Sequence, residues 1–369
     1  MKDFQLRNET RLLFRNDPTE DIAHLIDNKK ALFVYGGGSV RKNGCYEDVS
    51  KAASKAGATL YELPNASREL EMIQNGIHFV KKYGVQLIIG AGGAQVMDCS
   101  KLIAFGTFHE TDLWDYVKGK KNPYGLEKLP LILMPTYPSS GSEYGLGAVS
   151  ADAGTGDFGT AYGIGAETAI LVPKYSLSLN KEMTAYTGLV TLVQLSASVL
   201  GDKNKLSYDI GVSVMRNVLD AVKKLKEDPK DVDARGTILY GAALSTSGRL
   251  GLGKEENYAY DIYEVEFIPE VLFGVPYRQS LTTLFPRFLE VMAKYHEDDI
   301  RRYFEDVYGF NGDVASSVNS MVALFGYMGV KMYFEGSLTE KECLDVKTGS
   351  LLKPADIFAI MKGCLNTRQ

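Results

Sequence analysis

The sequence predicts an α/β domain with a parallel sheet over residues 1–173, followed by an all-helical domain over residues 174–369. Up to Pro173, short apolar runs alternate with helical stretches, and several of these runs end at glycine or proline. From Lys174 onward the apolar residues recur with a helical period instead. Apolar strands that are each followed by a turn and a helix are typical of a parallel sheet buried on both faces.

Five main strands are predicted in the first domain, at residues 31–35, 58–62, 85–89, 131–134 and 169–172. Residues 144–170 are rich in glycine, alanine and threonine, which indicates further strands and turns. In the second domain, residues 189–200 are apolar nearly all round and predict a central buried helix. Further helices are predicted at residues 206–226, 232–247, 262–272, 281–295, 298–308, 314–328 and 354–362.

The composition argues against several classes of protein. With 41 Lys and Arg against 46 Asp and Glu, the chain lacks the basic excess of a nucleic-acid or anionic-membrane binder. The N-terminus lacks the apolar run of a signal peptide and no stretch approaches a membrane span in length, so we expect a cytoplasmic protein. The four cysteines contain no CxxC pair, which argues against a disulfide framework and a zinc knuckle.

Histidine is scarce in this chain. There are four, and only His296 lies beyond residue 109. A histidine-rich transition-metal site in the second domain is therefore excluded. Chemistry in that domain would depend on carboxylates, tyrosines or a bound cofactor.

Two predicted strands end in glycine turns just before a helix. The first turn is Gly36-Gly37-Gly38-Ser39 and the second is Gly92-Gly93-Ala94-Gln95. Such turns let backbone N–H groups and a helix N-terminus approach phosphate oxygens. Neither turn is a GxGxxG fingerprint or a P-loop, and one turn alone is more often a tight connection without a ligand. Two of them at the ends of parallel strands favour a nucleotide site.

A hydroxyl-rich loop follows the strand at residues 131–134. It reads Pro135-Thr136-Tyr137-Pro138-Ser139-Ser140-Gly141-Ser142-Glu143. Its side chains could hydrogen-bond to ribose, phosphate or the nicotinamide amide, whereas taken alone the segment is more simply a polar loop. We refer to these residues as the hydroxyl loop.

Taken together, these motifs resemble the iron-containing (group III) alcohol dehydrogenase family, most closely its butanol-dehydrogenase-like branch. The resemblance covers nearly the whole chain. Its motifs are the two glycine turns, the second continuing to Asp98 and Lys101, then Asp112-Leu113-Trp114-Asp115, the hydroxyl loop and Asp233-Ala234-Arg235.

The resemblance implies a dehydroquinate-synthase-like fold, in which a Rossmann-like nucleotide-binding sheet precedes a helical domain. It also implies NAD(P), a small aldehyde, ketone or alcohol as substrate, and a homodimer. NADP is expected rather than NAD, because the first turn carries no acidic residue for the 2′-hydroxyl. The candidate cofactor-binding residues are Gly36, Gly37, Gly38, Ser39, Gly92, Gly93, Ala94, Gln95, Asp98, Thr136, Tyr137, Ser139 and Ser140.

The chain departs from the family at its metal site. The family holds a catalytic metal with one Asp and three His, and the matching positions here are Thr191, Leu195, Tyr263 and Tyr277. Leucine has no lone pair, and neutral threonine or tyrosine is a poor replacement for carboxylate and imidazole. We therefore expect neither Fe nor Zn at this site.

Three hypotheses follow. The first is a metal-free NADP-dependent oxidoreductase in which Tyr263 or Tyr277 donates the proton and Arg278 lowers the phenol pKa. The second is a pseudoenzyme or partner subunit that keeps the fold, since 22 tyrosines make a chance placement easy. The third is a repurposed enzyme that binds another phosphate-bearing ligand.

Overall fold

The structure is a computed structural model, and it describes residues 2–346 and 348–366. The chain divides into two compact units. The α/β unit contains Leu6–Leu179 and Ala242–Gly248. The helical unit contains residues 2–5, Asn180–Gly241 and the described residues from Arg249 onward. The predicted fold class, a parallel α/β part followed by a helical part, is confirmed. The boundary after residue 173 stays a prediction.

Six parallel strands form the main sheet of the α/β unit, in the order β1-β8-β5-β4-β2-β3. Two further strands, β6 and β7, pair with each other in antiparallel fashion. Edge strand β1 was not predicted, because it is short and only Leu13 in it is buried. The strands are β1 Arg11–Phe14, β2 Lys30–Tyr35, β3 Thr59–Leu63, β4 Leu87–Gly92, β5 Leu131–Pro135, β6 Gly147–Asp152, β7 Asp157–Tyr162 and β8 Thr168–Leu171.

Helices cover both faces of this sheet. Alternate residues of a strand point to opposite faces, so Val34 and Ile88 join one apolar cluster whereas Phe33 and Ile89 join another. The first cluster includes residues of α4 and α5, and the second includes residues of α1 and α3. The helices of this unit are α1 Thr19–Ile26, α2 Ser39–Lys42, α3 Cys45–Lys55, α4 Leu70–Tyr83, α5 Ala94–His109 and α6 Leu113–Val117.

The strand order reverses between β2 and β4. From β2 the chain continues to its neighbour β3 on one side, whereas from β4 it continues to its neighbour β5 on the other side. Connections that leave in opposite directions open a crevice at the carboxyl ends of the two strands. Open α/β sheets bind their ligands at such a point.

The helical unit is built around α7. Every residue of this helix from Thr184 to Val199 is buried, which confirms the predicted central helix although it begins eight residues earlier than 189, at Lys181. The side chain of Asn180 caps the N-terminus by accepting from the Met183 amide at 2.8 Å. The later helices are α8 Lys205–Glu227, α9 Val232–Ser245, α10 Ile262–Val265, α11 Phe267–Phe273, α12 Tyr277–Tyr303, α13 Val314–Met328, α14 Glu340–Asp345 and α15 Pro354–Gly363.

Two predicted helices are continuous in the structure. Residues 281–295 and most of 298–308 belong to α12, which bends at His296, where φ is −137° and ψ is 39°. A π-helical turn, Phe304–Tyr308, follows it. In contrast, the single helix predicted at 262–272 is two short helices, α10 and α11. Among the described residues, no helix is both long and apolar enough to span a membrane.

Candidate functional site

The three predicted cofactor segments meet at one edge of the sheet. Tyr35 at the end of β2 pairs with Ala91 of β4, and Gly92 at the end of β4 pairs with Pro135 of β5. The first turn, the second turn and the hydroxyl loop therefore follow three neighbouring strands at their carboxyl ends. This edge includes the point where the strand order reverses.

The second turn opens directly into the 16-residue helix α5. Gly93 occupies the N-cap position with φ −88°, and it has no side chain that could cap the helix. A Cβ added to Gly92 would lie 2.7 Å from Val96 Cγ2, and one added to Gly93 would lie 2.6 Å from Tyr137 Cζ. Gly92 thus requires glycine, and a side chain at Gly93 would displace the ring of Tyr137. The first N–H groups of α5 remain suited to an anion.

Ala94, which follows the two glycines of the second turn, adopts its backbone conformation without strain. It is the first residue of α5 and is absent from the non-glycine residues with positive φ among those described, which are Asp27, Asn28 and Asn65. The neighbouring Gln95 is exposed on the same helical turn.

The first turn is more open. Gly37 and Gly38 are exposed, and a Cβ added to either would have no described atom within 4 Å. Helix α2 begins at the exposed Ser39. Space around these residues is compatible with a bound group, such as the adenosine end of a dinucleotide.

A charged cluster next to the first turn was missed by the sequence analysis. Glu62 of β3 accepts hydrogen bonds from Arg41 Nη2 at 3.0 Å, from Tyr35 at 2.5 Å and from Tyr46 at 2.6 Å. The Arg41 guanidinium also lies 3.8 Å from the centre of the Tyr46 ring. The turn itself lacks an acid, but the adjacent strand brings one close to it. The position of Glu62 near the first turn follows only from the pairing of β2 with β3.

A buried network lies beneath the hydroxyl loop. Lys101 of α5 is fully buried, and its Nζ donates to the Ser142 hydroxyl at 3.0 Å, to Gly145 O at 2.9 Å and to Gly147 O at 2.8 Å. The Ser142 hydroxyl donates in turn to Asp98 Oδ1 at 2.6 Å. Asp98, which was predicted to bind the cofactor, therefore contacts the loop from its buried side.

The ionisable groups of this network are strongly affected by burial. Burial lowers the pKa of Lys101 to about 8, although the charges of Asp98 and Glu143 oppose the shift. Burial also raises the pKa of Asp98 and raises the pKa of Glu143 to about 7. One carboxylate oxygen of Glu143, Oε1, is buried without a hydrogen-bond partner in the part of the chain that the structure describes.

Backbone contacts fix the shape of the hydroxyl loop. The Thr136 amide donates to Gly92 O at 3.1 Å, which joins the loop to the second turn. The Ser142 amide donates to Ser140 Oγ at 3.3 Å. Gly141 has φ +70°, and its carbonyl accepts from the Thr246 hydroxyl at 2.7 Å. Of the predicted hydroxyls, Thr136 is buried, whereas Tyr137, Ser139 and Ser140 are half-buried.

In the helical unit, the four positions predicted to match the metal ligands have different surroundings. Thr191 and Leu195 of α7 are fully buried, and the Thr191 hydroxyl donates to Thr187 O at 2.9 Å. The Tyr277 hydroxyl accepts a hydrogen bond from Gln194 Nε2 at 3.4 Å. The ring of half-buried Tyr263 is stacked 6.2 Å from that of Tyr260.

The phenol of Tyr277 is held in its neutral form. Burial is the main cause that raises its pKa well above the ordinary value, and the charge of Glu266 adds to it. The expectation that Arg278 lowers this pKa is therefore wrong. The charge of Arg278 acts on Tyr186 instead, where it opposes the effect of burial.

The side chains at the positions predicted to match the metal ligands differ from the Asp and His that the resemblance implies. Leu195, at one of them, offers no donor atom. In residues 2–346 and 348–366, no group of three or more His, Cys, Asp and Glu side chains is placed to hold a metal ion.

Comparison with known proteins agrees with this architecture. The model of the iron-containing alcohol dehydrogenase family matches residues 9–177 of this chain. Among solved structures, an NADH-dependent butanol dehydrogenase A from Thermotoga maritima superposes with a TM-score of 0.89 at 22% identity, covering 99% of each chain. That likeness in fold also covers the residues of the helical unit.

Relatives of similar length carry the names of dehydrogenases and reductases. A probable NADH-dependent butanol dehydrogenase of Bacillus subtilis is 27% identical, over 78% of this chain and 76% of its own length. An NADPH-dependent aldehyde reductase of Escherichia coli is 26% identical, over 78% of this chain and 75% of its own length.

Proposed function

We propose that this protein is an NADP-dependent oxidoreductase that interconverts an alcohol and an aldehyde or ketone without a bound metal ion. The match of residues 9–177 to the model of the iron-containing alcohol dehydrogenase family supports the reaction class. The observation that carries the metal-free part is the neutral phenol of Tyr277, which contacts Gln194 beside a leucine at a family metal position.

The α/β unit has the features required to hold the cofactor. Gly92 and Gly93, with the N-terminus of α5, would bind the pyrophosphate, and Gly36–Ser39 would bind the adenosine end. Thr136, Tyr137, Ser139 and Ser140 would supply hydroxyls, with Ala94 and Gln95 at the start of the helix. When bound, the cofactor supplies or accepts a hydride. The buried Asp98 would position the hydroxyl loop through Ser142 rather than contact the nucleotide.

NADP is proposed rather than NAD because of the charges near the first turn. The first turn has no acid, and the nearby Glu62 already accepts hydrogen bonds from Arg41, Tyr35 and Tyr46. A carboxylate engaged in this way is a weak acceptor for a ribose hydroxyl, and Arg41 brings positive charge to the same place. The names of several relatives specify NADH, so the preference requires a direct test.

Tyr277 would serve as the proton donor, with Tyr263 as the second candidate. As the carbonyl carbon is reduced, the phenol proton passes to the carbonyl oxygen, and the phenolate then recovers a proton from solvent. A high phenol pKa keeps the donor protonated at neutral pH.

The test is a calorimetric titration of chelator-treated protein with NADPH and then NADH, followed by turnover assays with aldehydes and ketones. Micromolar NADPH binding, weaker NADH binding and chelator-resistant turnover are expected. Cofactor binding without turnover would favour the pseudoenzyme. Absence of binding would favour another phosphate-bearing ligand, and turnover that requires added Fe or Zn would contradict the metal-free mechanism.

A homodimer is also proposed, on the family resemblance alone. Sedimentation equilibrium of the full chain measures its mass directly, and a monomeric mass would contradict the proposal.

A further inference from the structure

The side-chain amide of Gln194 has a hydrogen-bond partner for its nitrogen but none for its oxygen among the described residues. The side chain lies on α7 with only 3% of its surface exposed. Its Nε2 donates to the Tyr277 hydroxyl at 3.4 Å, whereas its Oε1 is buried without a hydrogen-bond partner in the described part of the chain. The sequence analysis did not consider this residue, although it is a lone amide in a nearly apolar helix.

Three hydroxyl side chains of α7 near Gln194 have hydrogen-bond partners within the helix. The hydroxyls of Thr191, Ser196 and Ser198 donate to backbone carbonyls four residues earlier, at 2.9, 2.7 and 3.1 Å. Gln194 is too long for that local arrangement and extends to Tyr277 on α12 instead. A buried carbonyl oxygen without a donor lowers stability, so such a group indicates a ligand that supplies one.

The position of this oxygen restricts the ligand. The two ends of an amide share one carbon atom, so Oε1 lies close to the group that contacts Tyr277. A substrate oxygen held by Tyr277 would need a donor on an adjacent atom to reach Oε1, and a simple aldehyde has none. Glu266, which is 3% exposed, interacts electrostatically with the same phenol. Its negative charge disfavours an anionic substituent on the substrate.

We propose that Gln194 is a specificity residue, whose Oε1 accepts a hydrogen bond from a hydroxyl next to the reacting carbonyl while Tyr277 holds the carbonyl oxygen. The substrate class would then be uncharged 2-hydroxy aldehydes and the corresponding 1,2-diols. This inference rests on the proposed function, since Tyr277 is the proposed proton donor.

The first experiment compares binding of propane-1,2-diol and propan-1-ol by calorimetry, with and without NADP. We expect the protein to bind the diol roughly tenfold more tightly, because a site built around a hydroxyl rejects an analogue without it. In Gln194→Met the ratio should fall to about one. The exposed Gln74 provides a matched control, and Gln74→Met should keep the ratio of the unmodified protein. Equal binding of the two alcohols by the unmodified protein overturns the inference without any variant.

The second experiment separates this inference from the proposed function. Rates of reduction by NADPH are compared for 2-hydroxypropanal and propanal. Equal values of kcat/KM for the two aldehydes would leave the oxidoreductase in place and overturn the role of Gln194. Absence of turnover with both, together with diol binding that Gln194→Met abolishes, would overturn the oxidoreductase and support the hydroxyl site.

Discussion

The ammonium nitrogen of Lys101 lies 3.0 Å from the hydroxyl oxygen of Ser142. This contact joins α5, which begins at the second glycine turn, to the hydroxyl loop after β5. Because Ser142 also donates to Asp98, the loop is bound twice to the same helix. Two segments proposed to hold the cofactor thus depend on one buried network.

Lys101→Met should destabilise the α/β unit by about 3 kcal/mol, because it leaves the Ser142 hydroxyl and two backbone carbonyls without their donor and removes the positive charge near the buried Asp98 and Glu143. Urea unfolding at pH 7 measures the change. The exposed Lys51 provides the control, and Lys51→Met should change stability by less than about 0.5 kcal/mol. Equal stability of the two variants would show that the network is not structural.

Glu143 and Lys101 should give the stability an unusual pH profile. The carboxyl pKa of Glu143 rises from its ordinary 4.5 to about 7, so the folded state retains a proton that the unfolded state has lost. The free energy of unfolding should therefore decrease from pH 4.5 to pH 7, by up to about 3 kcal/mol from this group.

Lys101 acts in the opposite sense at higher pH. Its pKa is lowered from 10.5 to about 8, so its contribution increases from pH 8 to pH 10.5. Glu143→Gln should flatten the acidic part of the profile, as measured by urea unfolding at several pH values. The exposed Glu71 is the control, since Glu71→Gln should keep the slope. A slope that survives in Glu143→Gln would rule out Glu143 as its source.

Gly93→Ala should force Tyr137 away from the second turn. The added methyl group would lie 2.6 Å from Tyr137 Cζ, which is too close for any real contact. We expect a loss of about 1–3 kcal/mol in stability and weaker NADPH binding. The double variant with Tyr137→Ala should recover most of the stability, because the collision is then removed. Additive losses in this double-mutant cycle would contradict the packing argument.

Tyr277→Phe should remove at least about a hundredfold of kcat while NADPH affinity is kept, because the hydroxyl is the proposed proton donor and the glycine turns are unchanged. Steady-state kinetics and calorimetry provide the two values. Tyr263→Phe is the matched comparison, and a larger loss there would transfer the role of acid to Tyr263. Full turnover in both variants would exclude a tyrosine acid.

The strands and turns could be predicted from the sequence because the patterns that indicate them are local. The apolar runs before Gly36 and Gly90 predicted the N-terminal ends of β2 and β4 within two residues. The glycines indicated the edge of the sheet that is proposed to bind the cofactor. Strand β1 gave no such signal, since a short edge strand buries little. The bend of α12 at His296 also has no marker, because histidine is compatible with an unbroken helix.

The contacts that define the candidate site could not be predicted in the same way. Lys101 meets Ser142 across 41 residues, and Gln194 meets Tyr277 across 83. Contacts of this range depend on how helices pack, which no local pattern encodes. The predicted direction of the pKa shift at Tyr277 was wrong for the same reason. Arg278 is adjacent in sequence, but burial and the charge of Glu266 decide the shift.

The strand order also bears on protein synthesis. The ribosome releases Arg11–Phe14 early, but the strand that pairs with this segment, Thr168–Leu171, emerges at the end of the α/β segment. Thr246, whose hydroxyl anchors Gly141, emerges later still. During synthesis, the α/β unit can therefore complete its folding only after part of the helical unit has been translated. A gene fragment that stops at Leu179 would omit the Thr246 anchor, so a transplanted cofactor unit should carry Ala242–Gly248 with it.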